Sequence, residues 1–170
     1  MEPAGSGFSQ VEVNKKHFGG SDSFNLEAPW NAEEVVRLPA RTLAYIGDSV
    51  YELGLRLALV RSGIDNAGRL HDSLVGHVNA PAQAKIFDSV FAGLNETEQQ
   101  LLKNWRNAKN PSRYGSGTRG EYARATALEA WVAWLFLTGQ KERLNQLFDG
   151  IVTQSLAGSD ADESGKNKDE

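Results

Sequence analysis

Apolar residues recur along the middle of this chain at helical intervals, and nowhere in a sustained two-residue alternation. Over residues 39–62, Leu43, Ile46, Val50, Leu53, Leu57 and Val60 follow one another in steps of three and four, which gathers side chains on one face of an α-helix. Gly63 is the stop signal. Upstream, Asn31 with Glu34 three positions on predicts a capped start for a short helix carrying Val35, Val36 and Leu38. Downstream, the pattern predicts helices over 67–76 and 79–91. Asn95 with Glu98 repeats the capping signal ahead of a helix through Leu101 and Leu102 toward Ala108. Residues 110–120, with Pro111 and three glycines, predict a loop. A long apolar helix is expected over 121–137 and a last one over 140–156. No β-branched run alternates, so the fold class is all-α.

The two ends read differently. Residues 1–29 are rich in Gly, Ser, Asn and charge, with Phe8, Phe18 and Phe24 scattered among them, and predict a mobile arm. Residues 157–170 are polar and acidic and predict a disordered tail. Residues 30–156 then form one domain, long enough to bury about two-thirds of its unfolded surface. The absence of cysteine excludes disulfides and zinc–thiolate sites and fits a reducing compartment. No apolar run approaches the ~20 residues of a membrane span, and the start lacks a signal or transit pattern. A net charge of −4 argues against a nucleic-acid binder until its distribution is considered. Lys103, Arg106, Lys109, Arg113, Arg119 and Arg124 face a single acid, Glu121, within their segment. For phosphate binding such a local excess matters more than the sum.

Two acids interrupt apolar helical runs. Asp48 lies in Leu43-Ala44-Tyr45-Ile46-Gly47-Asp48-Ser49-Val50-Tyr51, and Glu129 in Ala125-Thr126-Ala127-Leu128-Glu129-Ala130-Trp131. Burying a carboxylate costs several kcal/mol unless it is paired or bound to metal, so the two suggest a shared metal centre. Glu52, one turn beyond Asp48, shares its face. Magnesium held by a few carboxylates suits phosphodiester hydrolysis. A structural alternative stays open, in which Asp48 caps a neighbouring helix and Glu129 pairs with an arginine. The basic segment likewise reads either as a solvated loop or as a phosphate- and ribose-binding surface. The interleaving of Asn104, Asn107, Asn110, Arg113 and Tyr114 among the bases favours the surface. His71-Asp72 lacks the further histidines a histidine–aspartate phosphohydrolase needs, and Ser49 has no histidine partner nearby. The four tryptophans read as core or interface anchors, with Trp105 the one candidate for stacking on RNA.

Tyr45-Ile46-Gly47-Asp48-Ser49-Val50 resembles the signature helix of the ribonuclease III catalytic domain. The run from Leu70-His71 through Val78, Ala80, Gln83 and Ala84 resembles the helices that follow it there, and Thr126-Ala127-Leu128-Glu129-Ala130 its second acidic motif. Leu43-Ala44-Tyr45-Ile46-Gly47-Asp48, Arg106-Asn107-Ala108-Lys109 and Ala125-Thr126-Ala127-Leu128-Glu129-Ala130 more specifically resemble Mini-ribonuclease III, the form without a double-stranded-RNA-binding domain. This resemblance spans residues 38–152. The larger family carries an acid four residues before the aspartate and another three before the glutamate. Here, as in the Mini form, those positions are Ala44 and Thr126. Their loss should leave more of the magnesium shell to water and favour one metal per site.

The resemblance implies a ribonuclease III-type helical bundle forming a two-fold homodimer, with Ile46, Val50, Leu53 and Leu57 in its interface. It implies a magnesium-dependent endoribonuclease, with manganese as a substitute, that cuts double-stranded RNA to 5′-phosphate and 3′-hydroxyl ends. Large-subunit (23S) ribosomal RNA precursor in the cytoplasm is the implied substrate, and no membrane is involved. Asp48 and Glu129 are the implied catalytic, metal-binding residues, and Arg106, Asn107, Lys109, Arg113 and Tyr114 the RNA-binding set. Glu52 is the candidate to orient a water of the metal shell, unless it pairs with an arginine. The rival expectation, motivated by Ala44 and Thr126, is a catalytically inactive RNA-binding or ribosome-associated dimer of the same fold.

Overall fold

Asparagine side chains start four of the helices. The computed structural model describes residues 29–108 and 117–163, and among these it contains seven α-helices and no strand. They are α1 (Ala32–Val36), α2 (Ala40–Arg61), α3 (Ala67–Val75), α4 (Ala80–Ala92), α5 (Glu96–Arg106), α6 (Arg119–Leu137) and α7 (Lys141–Glu163). Asn31, Asn66, Asn79 and Asn95 accept otherwise free backbone N–H groups in the first turns of α1, α3, α4 and α5. Each such cap is worth about 1 kcal/mol. The complete reciprocal box occurs at α6, where Thr118 Oγ1 accepts from the Glu121 N–H at 3.2 Å and the Glu121 carboxylate accepts from the Thr118 N–H at 2.7 Å.

The core is built around α6. Ala125, Leu128, Trp131, Val132 and Leu135 are buried on several sides of it, and α1, α2, α4, α5 and α7 all pack against it. The line that α2 buries is Leu43, Gly47, Tyr51, Leu55 and Leu59, repeating every four residues. This corrects the single stripe expected from the sequence. Leu43 faces the core at 0% exposure, whereas Leu53, Leu57 and Val60 are more than half exposed. Thus α2 is apolar on two flanks, one packed into the core and the other on the surface. Each Leu of the buried line stabilises the fold by about 1.5–3 kcal/mol.

Other departures lie at helix ends. Because Thr118 caps α6, the helix begins at Arg119 rather than at residue 121. At α5, Glu98 does not complete a box with the Asn95 backbone. Its Oε2 accepts from Asn95 Nδ2 at 2.8 Å and its Oε1 pairs with Arg143 Nη1 at 2.6 Å, tying α5 to α7. The backbone of α7 continues through residues 157–163, which the composition assigns to the tail. A single Gly158 costs a helix only about 1 kcal/mol, and no proline follows it. Residues 1–28 of the N-terminal arm expected over 1–29, and residues 164–170 at the end of the tail, lie outside the described residues. Among those described, no helix is long and apolar enough to cross a membrane.

Candidate active site

Gly47 sets the geometry of the site. A Cβ at this position would run into the backbone carbonyl of Glu129, so a glycine is what lets α2 and α6 touch here. Asp48 is the next residue on α2, and its charge is felt by Glu129. Two acids far apart in sequence are therefore neighbours in the fold.

They are unequal neighbours. Burial in the middle of α6, and then the Asp48 charge, push the Glu129 pKa up to about 7, while the Gln83 side chain acts to lower it. Asp48 is an exposed residue, against the expectation of a buried carboxylate. Its pKa is still raised, first by the partial burial of its carboxyl and then by Glu52.

The wall behind Glu129 is tied together by the turn between α3 and α4. Tyr51, fully buried, donates its hydroxyl to the His77 carbonyl at 3.2 Å. Burial and then Glu129 push its phenol above the usual range. The His77 ring nitrogen Nδ1 lies 2.7 Å from the Ser73 carbonyl. Asn79 accepts the Ala82 N–H at 2.9 Å and donates to the Val75 and Gly76 carbonyls at 3.1 and 3.4 Å. These bonds fix the start of α4, and Gln83, one turn in and 3% exposed, lies against Glu129. None of Gly47, Tyr51 and Gln83 is among the site residues expected from the sequence. For Gln83 the available signal was an amide in the run Ala80-Pro81-Ala82-Gln83-Ala84, on the face that carries Ala84 and Phe87 into the core.

The remaining expected residues fall as follows. Glu52 pairs with Arg56 at 2.7 Å, one turn along α2, while its charge still reaches Asp48. Arg106, half-buried, ends α5, with Nε 3.5 Å from Oδ1 of the exposed C-cap Asn107. Lys109, Arg113 and Tyr114 lie outside the described residues. Trp105 is packed into the core at 5% exposure and offers no stacking face. Ile46, Val50, Leu53 and Leu57, with Phe136 and Phe148, line an apolar groove of about 650 Å³. Neither Asp48, Glu129 nor Gln83 lines it, so it is separate from the carboxylate site.

Asp48 and Glu129 offer hard carboxylate oxygens, and among the described residues no Lys or Arg forms an ion pair with either. Ala44 is buried and Thr126 half-buried, and neither adds a carboxylate. Among the described residues no group of three or more His, Cys, Asp or Glu could hold a metal ion. This donor set does not suit a closed zinc or iron site. It fits magnesium, which binds through one or two carboxylates and takes its other ligands from water and substrate phosphate. The repulsion between Asp48 and Glu129 is the interaction that such a cation relieves.

Residues 41–140 match the Ribonuclease III domain family. Mini-ribonuclease 3 of Symbiobacterium thermophilum is 40% identical over 115 residues, covering 68% of this chain and 88% of that protein. Mini-ribonuclease 3 of Brevibacillus brevis is 34% identical over 129 residues, 74% of this chain and 93% of that one. A crystal structure of a Fusobacterium nucleatum protein aligns with a TM-score of 0.61 at 27% identity, over 69% of this chain and 94% of that one. The family match contains Gly47, Asp48, Gln83 and Glu129 and most of the helices that assemble them. By fold and sequence the chain belongs to the ribonuclease III family, in its Mini-ribonuclease 3 branch, and is an endoribonuclease.

Proposed function

We propose that the protein hydrolyses phosphodiester bonds in double-stranded RNA with magnesium, manganese serving as a substitute, and that residues 30–156 are its catalytic domain. The observation that carries this reading is the meeting of two carboxylates at the Gly47 contact, neither paired with a Lys or Arg among the described residues and one of them with its pKa pushed up to about 7. Asp48 and Glu129 would hold the metal, which supplies polarisation of a phosphoryl oxygen and charge to stabilise the leaving oxygen. Glu129, on the central helix, fixes where the scissile phosphate must lie, and exposed Asp48 meets it from the solvent side. Water adds in line to phosphorus and the bond to the 3′-oxygen breaks, leaving a 5′-phosphate and a 3′-hydroxyl. Glu52 acts on Asp48 through its charge, and its pair with Arg56 favours that role over orienting a water.

Arg106 and Asn107, followed by Lys109, Arg113 and Tyr114, would hold phosphates and 2′-hydroxyls, the groups an A-form duplex presents. The exposed apolar flank of α2 supports a homodimer through Ile46, Val50, Leu53 and Leu57, because a groove of this kind is rarely left bare to water. Two-fold symmetry would then set two sites along one duplex. The substrate we assign is large-subunit ribosomal RNA precursor in the cytoplasm.

Cleavage of a long RNA duplex in magnesium, wild type against Asp48→Asn at equal concentration, tests the reading. Cutting by the wild type alone, with 5′-phosphate ends, is expected. Equal cutting by both would remove Asp48 from the chemistry. Binding without cutting, on precursor ribosomal RNA as well, would favour an RNA-binding dimer.

A further inference from the structure

Two polar side chains are buried in the described part of the fold, Gln83 at 3% exposure and Glu98 at 6%. Glu98 is accounted for by Arg143 and Asn95. Gln83 is not, because its Nε2 is sealed from water and completes no hydrogen bond of good geometry. Leaving a buried amide donor unmet costs about 1–3 kcal/mol, and an apolar residue of similar length would avoid that cost. The acceptor it lies against is the Glu129 carboxylate. Turning the amide over would place its oxygen against the ionised, metal-binding form of that carboxylate, acceptor to acceptor, so Nε2 is the atom that belongs there. The backbone beneath Gln83 is held by the Asn79 cap and by the Tyr51 bond to the α3–α4 turn.

We propose that Gln83 is a positioning residue: its amide N–H holds the Glu129 carboxylate in the orientation in which that group shares a divalent cation with Asp48. This rests on the metal-centre reading above. A neutral donor is the suitable choice for the task. Lys or Arg in the same place would pair Glu129 off and repel the incoming cation, whereas an amide steers the carboxylate and leaves its charge available.

The test is calorimetric titration of manganese into the full-length protein, free of RNA, for the wild type, Asp48→Asn and Gln83→Met. Manganese should bind the wild type and not Asp48→Asn, and Gln83→Met should bind at least tenfold more weakly with its melting temperature unchanged or raised. The pH at which half of the binding is lost should also move upward in Gln83→Met. No binding to the wild type would sink the metal centre itself. Binding to the wild type that Asp48→Asn loses but Gln83→Met retains would leave the centre standing and reduce Gln83 to packing. Should Gln83→Met not fold, the Gln83 side-chain amide resonances of the wild type decide. They should shift on magnesium saturation and not shift in Glu129→Gln, and their indifference to magnesium in the wild type would overturn the inference.

Discussion

Glu98 on the polar helix α5 and Glu129 on the apolar helix α6 are both carboxylates turned toward the packed interior, and the fold treats them oppositely. Glu98 meets Arg143 at 2.6 Å and Asn95 at 2.8 Å, and Arg143 in turn lies 5.5 Å over the Trp131 ring. Its Oε1 has no further hydrogen bond, so the ion pair is what compensates it. Glu129 meets a second acid and a neutral amide, and its pKa climbs to about 7. An acid kept for architecture is given its cation by the protein. Under the proposed function, Glu129 is left for a divalent cation to neutralise, at a cost in stability of the free protein.

The two acids differ most in what they do for activity. Asp48→Asn or Glu129→Gln should lower duplex cleavage by on the order of a thousandfold or more, while Glu98→Gln should leave it within a few-fold, as read by single-turnover cleavage. Next comes the contact that brings the acids together. Gly47→Ala should cost about 3 kcal/mol in chemical denaturation, since the new methyl meets backbone that cannot step aside.

The pH dependence sharpens the contrast. With its pKa raised in the fold, Glu129 binds its proton more tightly there than in the unfolded chain. Its favourable contribution is complete below about pH 4.5 and is lost as pH rises through about 7. Metal-free protein should therefore lose stability between pH 5 and 8, by on the order of 2–3 kcal/mol from this group. Asp48, raised in the same direction, contributes with the same sign. Glu129→Gln should flatten the profile, and saturating magnesium should restore the wild type at high pH. Arg143→Met should cost about 2 kcal/mol at neutral pH by stranding Glu98, less than for a fully buried pair because Arg143 is partly exposed. The smallest effect is Arg56→Ala, under ~0.5 kcal/mol, because its pair with Glu52 is largely solvated.

Local signals made the helices legible in the sequence. Apolar spacing and the asparagines at 31, 79 and 95 mark their starts without knowledge of the fold. Asp48 and Glu129 stood out for the same reason, each being an acid in an apolar run. What stayed hidden depends on contacts between helices. Nothing local to Gly47 shows that α6 closes on it, and nothing local to Gln83 shows that α4 turns it toward Glu129. The two apolar flanks of α2 merged into one stripe because steps of three and four fit both faces while Gly47 and Tyr51, which mark the core line, carry no aliphatic signal. Trp105 read as a possible RNA contact because its basic neighbours are sequential, whereas its burial is tertiary.

The most direct measurement is a carbon-13 titration of the Glu129 side-chain carboxyl, assigned by its disappearance in Glu129→Gln, in the absence and presence of magnesium. The account predicts a midpoint near pH 7 without the metal, falling into the ordinary carboxylate range with it. An ordinary midpoint near 4.5 in both conditions would contradict the proposal that this acid, with no Lys or Arg partner among the described residues, is held for a divalent cation.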